Sequence, residues 1–255
     1  MDLSGYSRLT LTNREDFADD LALFRVQAAE TVSFTPGQYA TIGLMDAETD
    51  RPLLRPYSVV SAPDCTELEF FIERVDEGKL TPRLWELSEG DDVWMRDKIV
   101  GRFVLDTERQ HHVMAATVTG VGPYVSIARH QQRMLREGHL DTPNRFLIVH
   151  GGSRSWELGS YRDELTALAA SVDWLDYVPT VSRPWDDPDW GGEVGRVGDV
   201  LRKHMDAAGV PLHDTAGYAC GHPKMIENVQ GMFERTGLPE DAIHEEKYFV
   251  ERRAA

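Results

Sequence analysis

The chain has 255 residues, 41% of them hydrophobic and 9% aromatic, enough for one large or two ordinary domains with sizeable cores. Its formal charge of −16 disfavours nucleic acid as a partner, because phosphate repels such a surface. Its two cysteines, Cys65 and Cys220, cannot supply an iron–sulfur cluster or a disulfide framework, and their spacing gives no zinc site, so no metal is expected.

No apolar run approaches the roughly 18 residues of a membrane span. The N-terminal segment lacks an apolar signal region, which points to the cytoplasm. The acidic residues are scattered and fit either a solvated surface or adaptation to high salt.

The first part of the chain reads as β. Arg8 to Thr12 alternates, LALFRVQAAE follows, and FTPGQYATIGL is turn-like. In LLRPYSVVSAP, Arg55, Tyr57 and Val59 share one face of a strand, and Pro56, Ser58 and Val60 the other. In TELEFFIERV, Leu68, Phe70 and Ile72 face one way and Glu67, Glu69, Phe71 and Glu73 the other. A short helix is expected over Pro82 to Leu87, and KIVGRFVL is a further strand candidate. Several short strands with turns between them predict a barrel or sandwich.

From about residue 110 the rhythm changes. VMAATV is a strand that ends in TGVGPY, and VSIARHQQRMLREG is a helix with Pro123 in its first turn and Gly138 as its cap. FLIVH, WLDYVPTVS and AGYACG are strands. Helices follow over Tyr161 to Ala170, GRVGDVLRKHM and HPKMIENVQGMFERTG. This alternation predicts βαβ units in an open, doubly wound parallel sheet. The expected domains are residues 1–108 and 109–255.

Two anion sites are suggested. Glycines at the strand–helix junction TVTGVGPY let a backbone approach a pyrophosphate, although such glycines often serve only the turn. Ser153–Arg154, Ser182–Arg183 and Cys220–Gly221 stand at the carboxyl ends of strands, where doubly wound sheets bind ligands, and Arg196 starts a later helix. Guanidinium groups there suit a ribose 2′-phosphate. In the β half, Gly78 to Thr81 could cradle a second pyrophosphate within reach of Arg55. Tyr57 offers a flat face and Ser58 a hydroxyl. A flavin dinucleotide fits this set, against the alternative of a barrel aromatic beside a strand-edge charge.

In combination, FTPGQY, RPYS, LEFFIERV with GKLTPRL, TGVGPY, VSR and CGHPKM resemble the bacterial ferredoxin/flavodoxin NADP⁺ reductases over nearly the whole chain. The resemblance implies an antiparallel FAD-binding β-barrel followed by a parallel α/β NADP-binding domain. It implies FAD bound by Arg55, Pro56, Tyr57 and Ser58, with Phe71, Ile72, Glu73, Arg74, Lys79, Leu80 and Thr81 along its adenosine and pyrophosphate. Thr119 would face the flavin. Arg154, Ser182, Arg183 and Arg196 would hold the NADP(H) phosphates, with Cys220 and Gly221 by the nicotinamide. Ser58, Cys220, Tyr248 and Glu251 would surround the reacting atoms, with Tyr248 stacked on the flavin and Phe249 nearer the adenine or the core.

Hydride transfer between nicotinamide C4 and flavin N5 would link NADP(H) to a transient one-electron partner, ferredoxin or flavodoxin. A monomer is expected. Alternatives are the reductase component of an oxygenase, a free-standing flavin reductase, or a flavin-binding electron-transfer or regulatory subunit without turnover. Three departures stand out: Val118 where the family has glycine, one extra residue before Arg154, and Tyr248 in place of a small residue. An acidic carrier would need a local basic patch on so acidic a protein, and Arg129, Arg133 and Arg136, Lys98 and Arg102, and Arg252–Arg253 are the candidates.

Overall fold

A computed structural model describes residues 3–46 and 48–247. The chain divides into two compact units. One takes in the chain through Leu105 and returns for Gly122–Asp141, and the other takes in Asp106–Val121 and the chain from Thr142 onward.

In the first unit, β1 (Tyr6–Ala18), β2 (Leu21–Val32), β3 (Tyr39–Asp46), β4 (Arg51–Ser58), β5 (Cys65–Glu73) and β6 (Asp92–Arg96) form one sheet in the order β4-β3-β6-β1-β2-β5. Every pairing in it is antiparallel. Just past β4, Val60 N–H donates to Glu69 O at 3.0 Å, which curls the sheet toward a barrel. Leu68, Phe70 and Ile72 join the barrel core, as their alternation predicts.

The other face of β5 is covered as well. Phe71 packs edge-on against Phe17, ring centroids 5.8 Å apart. Glu69 accepts from Arg25 at 3.2 Å and from Arg129 at 2.8 Å. Arg129 belongs to α2 (Gly122–Arg136), the helix after TGVGPY, and α2 is part of this unit. Ser126 Oγ donates to Ser61 O at 2.7 Å, and Arg133 donates to Pro63 O at 2.6 Å and stands 3.6 Å from Asp64.

Four elements of this unit differ from the sequence expectation. KIVGRFVL is not a strand. Only Val100 bridges, to Tyr39, and Gly101 at φ +141° turns the chain away. The segment instead runs so close over the turn before β3 that a Cβ at Gly37 would lie 2.1 Å from Phe103 O. The turn in FTPGQYATIGL ends at Gln38, and β3 begins at Tyr39. The strand β6 has only Val93 and Met95 facing inward, a signal too short to stand out among Glu89, Asp91 and Asp92. The short helix α1 (Thr81–Leu84) takes up the start of the expected one.

In the second unit, β7 (His111–Thr117), β8 (Arg145–Gly152), β9 (Leu175–Val181), β10 (Glu193–Val194), β11 (Thr215–Gly221) and β12 (Ile243–Lys247) form a sheet in the order β10-β9-β8-β7-β11-β12, parallel throughout. The helices α3 (Tyr161–Ser171), α4 (Val197–Ala207) and α5 (Pro223–Thr236) link its strands. Val113, Ala115, Leu147 and Val149 pack against α4 and α5 through Val200, Leu201, Val229 and Phe233. The fold is an antiparallel barrel-like sheet followed by a doubly wound parallel sheet, as expected. Among the described residues, no helix is long and apolar enough to cross a membrane.

Glu69 is where α2 is tied to the barrel. A Glu69→Gln variant keeps the shape but leaves Arg129 without its carboxylate partner and Arg25 with only Glu15, at 3.9 Å, a loss of about 2 kcal/mol. Thermal unfolding is expected to show a clear fall in Tm, and an unchanged Tm would remove the tie from the account.

Candidate functional site

The parallel register decides what stands together in the second unit. Cys220 on β11 pairs with Ala116 on β7, so both strands end side by side. The chain then leaves β7 through a 3-10 turn, Val118–Val121, and leaves β11 through Gly221 into α5. A Cβ on Gly120 would lie 2.2 Å from Cys220 O, and one on Gly221 would lie 2.4 Å from Thr117 Oγ1. Gly221 also has φ +123°. Thr117 Oγ1 accepts the His222 N–H at 2.9 Å. His222 caps α5 through Nδ1, which accepts from Lys224 N–H at 3.1 Å, with Pro223 next. Two backbone turns therefore meet with almost no side chain between them. The Cys220 side chain is fully buried, so its thiol is enclosed by protein and the turn presents backbone.

The exits of β8 and β9 are joined in the same way. Ser182 N–H donates to Gly152 O at 3.0 Å and Arg183 N–H to Ser153 O at 2.9 Å. Thr180 Oγ1 donates to Gly195 O at 2.8 Å, which brings the start of α4 and its N-cap Arg196 to β9. The Arg154, Arg183 and Arg196 positions thus lie on neighbouring exits, but they are not equivalent. Arg154 is engaged by Glu157 at 3.3 Å and by Asp186 at 2.8 Å, with its guanidinium 5.6 Å from the Trp156 ring. Arg183 and Arg196 are exposed and have no ion pair among the described residues.

In the first unit, β4 is an edge strand, so one side of it is open. Arg55 and Pro56 are exposed there, and the Arg55 guanidinium donates only to Leu54 O at 2.8 Å among the described residues. Tyr57 is half-buried against the barrel core, and burial pushes its phenol up despite the Arg55 charge. Ser58 is buried.

Thr81 Oγ1 closes the loop before α1, accepting Val75 N–H at 2.9 Å and donating to Val75 O at 3.1 Å. Lys79 is exposed and Leu80 buried, and the amides of residues 79–81 find no acceptor among the described residues. Those amides and the free edge of β4 fit a pyrophosphate and a flat ring. Of the run Phe71 to Arg74, Phe71 and Ile72 are buried, Ile72 in the core, while Glu73 is exposed and Arg74 faces Asp76 at 3.1 Å. Tyr248, Phe249 and Glu251 lie outside the described residues, as do Arg252 and Arg253. Of the expected basic patch, Arg129 and Arg133 are occupied within their own unit by the contacts described above.

One residue at the site, His150, escaped the sequence reading, and it is joined to Val118, which the sequence marked only as a departure. Val118 has φ +47°, a left-handed backbone that costs a β-branched residue about 1–3 kcal/mol. Its carbonyl receives Nε2 of His150 at 2.9 Å, and His150 Nδ1 lies 3.1 Å from Tyr177 Oη. His150 is fully buried, and that burial holds it neutral, with its pKa down at about 4. The one signal in the sequence is a histidine closing the apolar run FLIVH.

Residues 8–103 match the oxidoreductase FAD-binding domain family and residues 114–231 the oxidoreductase NAD-binding domain family. The flavodoxin/ferredoxin–NADP reductase of Shigella flexneri is 31% identical over 86% of each chain. The chain belongs to this reductase family. It is an FAD- and NAD(P)-dependent oxidoreductase, which sets aside the reading as a subunit without turnover. The reductase component of the Pseudomonas putida naphthalene 1,2-dioxygenase system is 25% identical over 94% of this chain and 68% of its own length. A ferredoxin NADP⁺ reductase of Neisseria gonorrhoeae, solved with FAD and NADP, shares the fold with a TM-score of 0.81 at 20% identity, over 96% of this chain and all of that one.

Gly120 is the tightest point of the paired turns. A Gly120→Ala variant must push them apart, at an overpacking cost of about 1–3 kcal/mol. It is expected to lower Tm and to weaken NADP⁺ binding, read by titration. Wild-type values in both would show that the turns need no close contact.

Proposed function

We propose that this reductase exchanges electrons between NADP(H), rather than NAD(H), and a ferredoxin or flavodoxin. The observation that carries the choice of nucleotide is the pair of cations that have no ion pair among the described residues, Arg183 and Arg196, at the exit of β9 and at the end of the loop into α4. A planar guanidinium bonds a 2′-phosphate bidentately, and a bare ribose hydroxyl gives it nothing comparable. Arg154 contributes less, because Glu157 and Asp186 already satisfy its charge.

FAD, when bound, supplies hydride exchange with nicotinamide and single-electron exchange with the carrier. The chain's part is to bind and orient. Arg55 and the amides of Lys79 to Thr81 hold the pyrophosphate, Pro56 and Tyr57 flank the ring, and Ser58 offers its hydroxyl beside it. Thr119 faces the flavin, and the Cys220–Gly221 backbone shapes the nicotinamide side, with Cys220 acting by the form it gives the turn. Phe71 and Ile72 act through backbone and packing, and Glu73 and Arg74 border the adenosine. Ser182 lies beside Arg183 in the phosphate seat. Tyr248, Phe249 and Glu251 are assigned from sequence alone, the first over the flavin. The carrier meets the protein transiently, and the protein works as a cytoplasmic monomer.

The likeness to the naphthalene dioxygenase component supports a second reading, in which the carrier serves an oxygenase. The two differ in the carrier alone.

Under anaerobic conditions, NADPH is expected to bleach the flavin-loaded protein at much lower concentration than NADH. Arg183→Ala should weaken NADPH binding by about tenfold or more, the scale of one charge-assisted pair, and Arg154→Ala by less. Equal responses to NADH and NADPH, or a larger loss at Arg154, would contradict the assignment.

A further inference from the structure

Three non-glycine residues among those described have positive φ: Asp50, Asp64 and Val118. Aspartate tolerates that backbone because its short side chain bonds locally, and valine does not. Something outside the turn must hold Val118 there. The register supplies it, because β8 runs parallel to β7 with His150 beside Ala116, two residues before Val118. The His150 side chain reaches the Val118 carbonyl at 2.9 Å.

The proton positions follow from the partners. A carbonyl only accepts, so Nε2 carries the hydrogen and donates to it. In the neutral ring Nδ1 is then an acceptor, and Tyr177 Oη donates to it across 3.1 Å. Tyr177 lies on β9, so two neighbouring strands, β9 and β8, and the turn after β7 contribute to one line of hydrogen bonds that ends on the strained residue. The residues after Val118 are Thr119, assigned above to the flavin side, and Gly120, seated against Cys220 O. Any turn of the Val118 peptide is transmitted directly to both.

We propose that His150, oriented by Tyr177, is a positioning residue that pins the left-handed Val118 peptide and so sets Thr119 and Gly120 for the approach of nicotinamide. The proposal rests on the function assigned above. His150 touches no cofactor, and its effect is on the rate of the productive geometry rather than on nucleotide affinity. Glycine takes the left-handed backbone without strain, so a Val118→Gly change should make the pin unnecessary.

The test is a set of variants loaded with FAD: His150→Phe, His150→Gln, Val118→Gly and the double variant Val118→Gly/His150→Phe. Flavin reduction is followed by anaerobic stopped flow, and each protein is also unfolded thermally. His150→Phe is expected to slow reduction at saturating NADPH about tenfold or more, with the NADPH Kd changed less than about twofold. His150→Gln keeps an N–H donor and most of the rate. Adding Val118→Gly to His150→Phe restores the rate to within about threefold, and the two substitutions are non-additive in unfolding.

An unchanged rate in His150→Phe, or no recovery in the double variant, overturns the proposal. If His150→Phe does not fold, a folded double variant supports the pin and an unfolded one overturns it. A wild-type protein that takes up FAD but does not respond to NADPH sinks the proposed function instead, and the unfolding cycle then decides the pin by itself.

Discussion

The parallel pairing of β7 with β11 is the constraint on which the rest of the nucleotide half depends. It brings two chain exits to one place, where the Thr117 hydroxyl takes the His222 amide and the Gly120 backbone lies against the Cys220 carbonyl. Hydrogen bonds and sterics leave each exit one conformation. A seat built of backbone has polar groups in fixed positions and little side-chain entropy to lose when a flat ring arrives. The exits of β8 and β9 and the loop into α4 extend the same construction by hydrogen bonds to backbone carbonyls, and they set Arg183 and Arg196 beside it.

The distribution of cations follows from similar physics. A chain with formal charge −16 has few arginines to spare. Arg129 and Arg133 face carbonyls and carboxylates that fasten α2 to the barrel, and Arg154 lies between Glu157 and Asp186. Among the described residues, Arg55 on the barrel edge and Lys79 before α1 in one unit, and Arg183 and Arg196 in the other, have no carboxylate partner. On so acidic a surface, such isolated positive groups mark where an anion can be held against the general field. Of the expected docking patch, Arg129 and Arg133 are already engaged within their own unit.

Much of the architecture was legible because its periodicities are strong. The apolar strands β7, β8 and β11 and their amphipathic helices announce a doubly wound sheet, and Leu68, Phe70 and Ile72 mark the barrel face of β5. What escaped was tertiary in origin. KIVGRFVL has strand composition, but Gly101 and the crossing over Gly37 give it no partner beyond Val100. The strand β6 has too few alternating residues to show itself. The arginine positions were readable as strand-end residues, yet the engagement of Arg154 depends on Asp186, which lies on a loop 32 positions away. Val118 was visible as a departure, but its left-handed backbone and the buried histidine that holds it become apparent only when β7 and β8 lie side by side.

The measurement that tests the account most directly is amide hydrogen exchange on the FAD-loaded protein, resolved over residues 117–122 and 218–224, with and without NADP⁺. The account predicts that the His222 amide, held by Thr117 Oγ1, exchanges slowly even without nucleotide, and that both segments gain protection together when NADP⁺ binds. Fast exchange at His222, or protection of one segment without the other, would contradict the claim that the two exits form a single seat.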